Sequence, residues 1–400
     1  MTSYSAQQRY PLVSARDEAH AVVADARGAG RVGLDTEFLR ERTYRPKLCL
    51  VQVAVGDDIY LIDPLALDDL SAVVDIINDP DIEILVHAGR QDLELFYEQF
   101  GARPRSVFDV QMAAGFAGYG SSLAYGRLVE AALGVALEKG ESYTDWCRRP
   151  LTDAQLKYAA DDVRYLGPVA DKISQRLEEQ GRLDWALEEM SVFDLPETYA
   201  VEPGEVWRKV GGRGALSPRQ TAVLKELARW REETASQRDI PRGWVIKDPT
   251  LIELARRAPK SQGGLKDIRG LNAREAEKSG ASILAAIEKG RTSPTVEKAA
   301  GPSRAAQARA RMLSGLADAV VRSRCEAAGM ATELVATRGE IESLLGDLFS
   351  GALDDKRHRV LQGWRRKLAG DAILGLAEGR IAVKAIDRPP YVEEVVLDGE

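Results

Sequence analysis

Between Arg31 and Asp109 the chain carries five short runs of apolar, β-branched and aromatic residues, each cut off by turn formers. Arg31-Val-Gly-Leu-Asp-Thr-Glu-Phe38 alternates as a half-buried strand does. Leu48-Cys-Leu-Val-Gln-Val-Ala-Val55 stops at the turn Gly56-Asp57-Asp58, and Ile59-Tyr-Leu-Ile-Asp63 reads as its hairpin partner, closed by Pro64. Ile82-Glu-Ile-Leu-Val-His87 is a short buried strand and Val107-Phe-Asp109 a brief one. Helices are expected over about Leu67–Ile77 and Gln91–Phe100, with helical periodicity from Val110 to about Glu189. This order is that of an α/β domain, a mixed sheet flanked by helices.

The remainder reads differently. From about Val192 to Glu205 two prolines, Tyr199 and scattered acids show no period, and a linker is expected. Beyond it the pattern is helical throughout. Ser217-Pro218 is a helix start, and Val223, Leu224, Leu227 and Trp230 recur at helical spacing up to Arg238. Asp248-Pro249 and Asn272 open further helices, Gly301-Pro302 marks a second boundary, and an Ala/Arg-rich helix runs from Ala305 to Ala328. Helices are expected over Thr337–Phe349, Val360–Leu368 and Asp371–Gly379, with an extended, frayed end from Asp387. The expected units are residues 1–204, 205–295 and 296–400. The last two are all-α blocks of similar size, compatible with a diverged duplication.

Hydrophobic residues make up 44% of the chain, too many for wholesale disorder. No run approaches the ~18 apolar residues of a membrane span, and Met1–Tyr10 lacks the pattern of a cleaved signal. Cys49, Cys147 and Cys325 are far apart and odd in number, so neither a disulfide framework nor a zinc site is expected; the simplest home is a reducing cytoplasm. The net charge of −7 hides an asymmetry. Residues 1–200 hold 20 Lys and Arg against 34 Asp and Glu, whereas 205–292 hold 19 against 11. A basic module beside an acidic one suits a polyanionic partner.

The informative residues are acids where apolar side chains are expected. Asp35 and Glu37, two apart on a strand, point to one face and repel unless a cation lies between them. Hard cations such as Mg²⁺ take oxygen ligands of this kind. Asp92 opens a helix, and Asp162 follows Tyr158 by four residues, which sets phenol and carboxylate side by side. Converged, these groups would form an acidic cage with a phenol at its rim. A cage of that kind binds two metals about 4 Å apart.

In order along the chain stand Gly33-Leu-Asp-Thr-Glu-Phe38 with Arg42-Thr-Tyr44, Leu50-Val-Gln52, Leu61-Ile-Asp-Pro64, and His87-Ala-Gly-Arg-Gln-Asp-Leu-Glu94. Phe108-Asp109, Lys139-Gly-Glu-Ser142 with Asp145-Trp146, Arg149-Pro-Leu-Thr-Asp-Ala-Gln155 and Tyr158-Ala-Ala-Asp-Asp162-Val-Arg-Tyr-Leu166 follow. With these segments the chain resembles the DEDD 3′→5′ exonucleases of the ribonuclease D family, over nearly all of residues 10–190. That resemblance implies a ribonuclease H-like exonuclease domain and two catalytic divalent cations, Mg²⁺ or Mn²⁺, on Asp35, Glu37, Asp92 and Asp162. Tyr158 matches the tyrosine that defines one subclass. Asp161 is expected to face away from the cage. The blocks at 205–295 and 296–400 resemble HRDC nucleic-acid-binding domains, the second in diverged form; the segment from Asp239 to Asp248 carries much of the first match.

The mechanism so implied is two-metal phosphodiester hydrolysis with release of nucleoside 5′-monophosphates, Tyr158 orienting the attacking water. A phenol with an ordinary pKa near 10 is a poor base by itself. The implied partner is RNA with a single-stranded 3′ end, tRNA precursors foremost, bound by a monomer in the cytoplasm with no membrane role. Candidate RNA contacts are Phe38 and Tyr44 by stacking, Lys139, Ser142 and Arg149 before Tyr158, and Arg242, Lys247, Arg256, Arg257 and Lys266 on the basic block. Two alternatives remain open: a 3′→5′ exonuclease on DNA, and a non-catalytic nucleic-acid-binding scaffold.

Overall fold

The computed structural model describes residues 10–397 apart from 41, 139, 141–143, 201 and 297–300. The expected strands pair into one six-stranded mixed sheet. In chain order its elements are β1 (Leu12–Val13), α1 (Arg16–Ala29), β2 (Arg31–Leu39), β3 (Lys47–Val55), β4 (Asp58–Ile62), α2 (Ser71–Asn78), β5 (Glu83–Val86), α3 (Arg90–Phe100) and β6 (Val107–Asp109). The strands lie side by side in the order β1-β4-β3-β2-β5-β6. β3 runs antiparallel to β2 and β4, while β2, β5 and β6 are parallel. The helices α4 (Val110–Phe116), α5 (Tyr125–Leu133), α6 (Asp153–Arg164), α7 (Leu166–Glu179) and α8 (Leu183–Met190) complete this domain.

Strand alternation decides what each face carries. Gly33, Asp35 and Glu37 share a face of β2 and lie opposite Ala54, Gln52 and Leu50 of β3. α6 packs over this face. The fit at Gly33 is tight, since a β-carbon there would stand 3.2 Å from the Val163 carbonyl oxygen and from Leu166. Val51, Val53 and Leu34 turn the other way, into the core that also holds Val22, Val23 and Ala26 of α1.

The segment ahead of α6 is anchored from several sides. Trp146 is buried, and Arg149 gives two hydrogen bonds to Asp63 (2.6 and 2.7 Å) and others to the carbonyls of Cys49, Trp146 and Arg148. With its N–H groups used this way, Arg149 ties its loop to β3 and β4 and is not a phosphate contact, correcting the sequence expectation. The cysteine expectation is corrected as well. Cys49 and Cys147, 98 residues apart, are joined in a disulfide, and Cys325 is free and buried. Pairing of β3 with this loop brings the two together. The argument from cysteine usage for a reducing compartment therefore falls away.

The presumed linker is packed rather than loose: it forms short 3₁₀ turns, Phe193 and Tyr199 are buried, and the Tyr199 hydroxyl donates to the Phe193 carbonyl oxygen at 2.8 Å. The middle block comprises α9 (Pro218–Arg238), α10 (Arg242–Val245), α11 (Asp248–Arg257), α12 (Gln262–Lys266) and α13 (Ala273–Thr292) around a core of its own. The last block begins with α14 (Arg304–Ala328), α15 (Thr332–Val335) and α16 (Arg338–Phe349), repeating the order long, four-residue, medium of α9 to α11. It continues through α17 (Gly363–Arg365) and a π-helical stretch into α18 (Asp371–Ala377). Its core is continuous with that of the sheet domain. Trp364 stacks on Trp185 at 5.4 Å and meets Phe116 edge-on at 5.0 Å. The end expected to fray is an antiparallel hairpin, β7 (Ile381–Ala385) with β8 (Val392–Val396). Among the described residues no helix is long and apolar enough to cross a membrane.

Arg149→Met would leave the 5%-exposed Asp63 carboxylate without its partner. Breaking a pair of this kind costs about 3–5 kcal/mol. The variant is expected to unfold at clearly lower urea concentration than the unaltered chain, and equal midpoints would contradict the anchoring role.

Candidate active site

Three elements bring the acids together. β2 supplies Asp35 and Glu37 on one face, α6 supplies Asp162, and the first turn of α3 supplies Asp92. Asp35 is half-buried, and its pKa is held well above the carboxylate range, first by desolvation and then by the charges of Asp92, Asp162 and Glu37. For Glu37, burial together with Asp162 and Asp92 raises the pKa to about 8. Burial lifts Asp162 to about 7, with Asp161 adding and the Tyr158 hydrogen bond opposing. It lifts Asp92 to about 6, against the Thr36 hydrogen bond. All four predicted acids thus lie in one another's fields. Among the described residues, no three such side chains are already drawn around a common point as metal ligands.

Tyr158 takes its expected place beside Asp162 on α6. Trp146 lies 6.0 Å from its ring, and a β-carbon on Gly140 would stand 3.0 Å from it, so the phenol ring is closely packed. Asp161 faces away, paired with Arg164 at 3.4 Å and Lys157 at 3.9 Å. Two residues that the sequence did not single out support the cage. Thr36, turned to the opposite face of β2, donates its hydroxyl to Asp92. Its position between Asp35 and Glu37 was the available signal. Tyr125 is half-buried near Asp162 and Asp35; desolvation first, then those charges, holds its phenol well above the usual range.

The candidate RNA contacts divide. Phe38 is half-buried at the end of β2 with the Arg40 guanidinium 6.0 Å from its ring centre. Tyr44 is not poised to stack on a base. It packs on the core of the middle block, its hydroxyl donates to Glu232 at 2.6 Å, and the amides of Tyr44 and Arg45 donate to Asp239 at 3.1 and 3.2 Å. Arg242 joins this latch at 3.3 Å from Glu232. A loop seven residues past Glu37 is thereby pinned by the helical block. Arg256 and Arg257 pair with Glu253 at 3.3 and 2.5 Å yet stay about half exposed, and Lys247 and Lys266 are exposed. Lys139 and Ser142 lie outside the described residues.

Comparisons with known proteins agree with this layout. The 3′-5′ exonuclease family matches residues 10–178, and the HRDC domain family matches residues 220–287. Ribonuclease D of Acidiphilium cryptum is 37% identical over 94% of this chain and 96% of its own length. Ribonuclease D of Cronobacter turicensis is 34% identical over 92% of this chain and 100% of its own. The crystal structure of Escherichia coli RNase D, described as an exoribonuclease involved in structured RNA processing, superposes with a TM-score of 0.80 at 32% identity. It covers 93% of this chain and 99% of that one.

The raised pKa values set a pH dependence. Folded values of about 6, 7 and 8 lie above the unfolded carboxylate value, so the protonated groups favour folding at low pH and that share is lost as pH rises through 6 to 8. A divalent cation binds the ionised forms and restores it. The gain in Tm from added Mn²⁺, relative to chelator, is expected to be small near pH ~5 and to grow towards pH ~8. A gain independent of pH in thermal melts would contradict this.

Proposed function

The chain belongs to the ribonuclease D family and is a 3′→5′ exoribonuclease, and from that premise we propose that Asp35, Glu37, Asp92 and Asp162 hold two divalent cations, Mg²⁺ or Mn²⁺, for hydrolysis of the 3′-terminal phosphodiester. The observation that carries the proposal is that four carboxylates from β2, α3 and α6, Asp92 buried and the other three half-buried, lie in one another's fields, each with its pKa raised. Such a set is stable only with protons or cations among it. An all-oxygen donor set suits hard cations, so the residues present fit the group. Asp35, Glu37 and Asp162 would hold one ion, and Asp35 with Asp92 the other. Bound there, such a pair would supply an activated water and charge neutralisation for the departing 3′-oxygen.

The chain's own residues do the rest. Tyr158, packed near Trp146 and Gly140 and bonded to Asp162, orients the attacking water by hydrogen bond. Phe38 and Arg40 stand at the rim, where the last base and its phosphate arrive. Lys247 and Lys266, with the exposed parts of Arg242, Arg256 and Arg257, draw the RNA backbone to the middle block in a salt-dependent way. The substrates are RNAs with a single-stranded 3′ end, tRNA precursors among them, and the products are nucleoside 5′-monophosphates released by a monomer. The similarity to an exoribonuclease of structured RNA processing supports this substrate class.

Asp35→Asn and Asp162→Asn are each expected to abolish 3′ trimming of a 3′-extended tRNA while leaving its Kd within about twofold, because binding rests on the separate basic block. Tyr158→Phe is expected to lower kcat about 10²-fold with little change in KM. Retained trimming in either Asn variant, measured by product sizing with Mg²⁺ or Mn²⁺, would overturn the proposal.

A further inference from the structure

We infer that Asp109 is the positioning residue for Asp92, and this rests on the cage proposed above. Asp109 ends β6, is 4% exposed and lies outside the cage. Its carboxylate accepts four backbone N–H bonds in two pairs. One pair, from Gln111 at 2.9 Å and Met112 at 3.2 Å, caps α4. The other pair crosses to the neighbouring strand's end, from Ala88 at 3.1 Å and Gly89 at 3.2 Å. Capping α4 needs only the first pair, and a serine or asparagine serves for that. Oδ1 accepts both cap bonds and the bond from Ala88, while Oδ2 accepts from Gly89, so the crossing pair uses both oxygens of the carboxylate.

What it holds is the turn from which α3 starts. β5 and β6 lie in register with Val86 beside Asp109, and His87, Ala88 and Gly89 lead directly into Arg90, the first residue of α3. The turn is closed and strained. Ala88 sits at φ 55°, in the left-handed region, and a β-carbon on Gly89 would fall 2.4 Å from Cβ of Val86. A non-glycine residue held there costs of order 1–3 kcal/mol and persists only where neighbours enforce it. Asp109 supplies that enforcement through the two crossing bonds, and His87 adds a contact to the Leu123 carbonyl at 2.9 Å. Two residues after Arg90 comes Asp92, whose carboxylate accepts from the Thr36 hydroxyl and from its own backbone N–H. The position of the α3 start therefore fixes where the Asp92 carboxylate stands relative to Asp35, and Asp109 fixes the α3 start.

The test separates capping from positioning. Asp109→Ser in the full chain keeps an acceptor for the α4 cap but lacks the second oxygen that accepts from Gly89. Mn²⁺ alone is titrated into Asp109→Ser, Asp92→Asn and the double variant by calorimetry without RNA, and kcat and KM are measured on a 3′-extended RNA. The expected result is a 10–100-fold weaker Mn²⁺ affinity and a similar fall in kcat for Asp109→Ser, with KM unchanged and no further Mn²⁺ loss in the double variant beyond Asp92→Asn. Unaltered Mn²⁺ affinity in Asp109→Ser, or additive losses in the double variant, would overturn the inference. If Asp92→Asn binds Mn²⁺ as the unaltered chain does, it is the cage reading that fails, whatever Asp109 does. Should Asp109→Ser not fold, Asp109→Asn is read by the same criteria, since its amide nitrogen cannot accept from Gly89.

Discussion

Four carboxylates placed where water is largely excluded repel one another, and a fold that keeps them there must hold them by force from outside. In this chain the force comes from backbone geometry. A strand with side-chain period two sets Asp35 and Glu37 on one face, and cross-strand pairing to Gln52 and Leu50 keeps that face turned to α6. The close seat of α6 and α7 over Gly33 brings Asp162 down from above. Asp92 arrives on a helix whose starting turn is bolted to β6. Burial then turns each acid into a group that prefers a proton or a cation to bare charge.

The rest of the molecule carries the opposite charge and braces the sheet domain. The acidic sheet domain by itself repels RNA, so the positive charge is displaced onto a helical block with a separate core. The two meet at the loop after β2, where Tyr44, Glu232, Asp239 and Arg242 form a polar latch. The last helical block behaves oppositely: it shares its core with the sheet domain and braces it through Trp364. Two blocks that repeat one order of helices thus meet the catalytic domain in different ways, one through a small polar contact and one through continuous packing.

Most of the fold, and the five residues proposed for the cage, were legible because their signals are local. Asp35 and Glu37 stand out against strand alternation, Asp162 and Tyr158 against helical spacing, and the motif order joins them to Asp92. What stayed hidden depends on partners distant in sequence. Arg149 and Tyr44 look like free RNA contacts until Asp63 and Glu232, 86 and 188 residues away, are brought beside them. Cys49 and Cys147 look unrelated for the same reason. The hairpin of β7 and β8 was missed because prolines and charges around Asp387 mask the alternation on either side of the turn. Asp109 was legible as part of a motif, while its four bonds were not.

The central claim is that the cage delivers water to the 3′-terminal phosphorus. Digestion of a 5′-labelled RNA in H₂¹⁸O with Mg²⁺ or Mn²⁺ tests it most directly. The account predicts nucleoside 5′-monophosphates carrying one ¹⁸O and a ladder shortened one nucleotide at a time from the 3′ end. Products with 3′- or cyclic phosphates, unlabelled 5′-monophosphates, or internal cuts would contradict it.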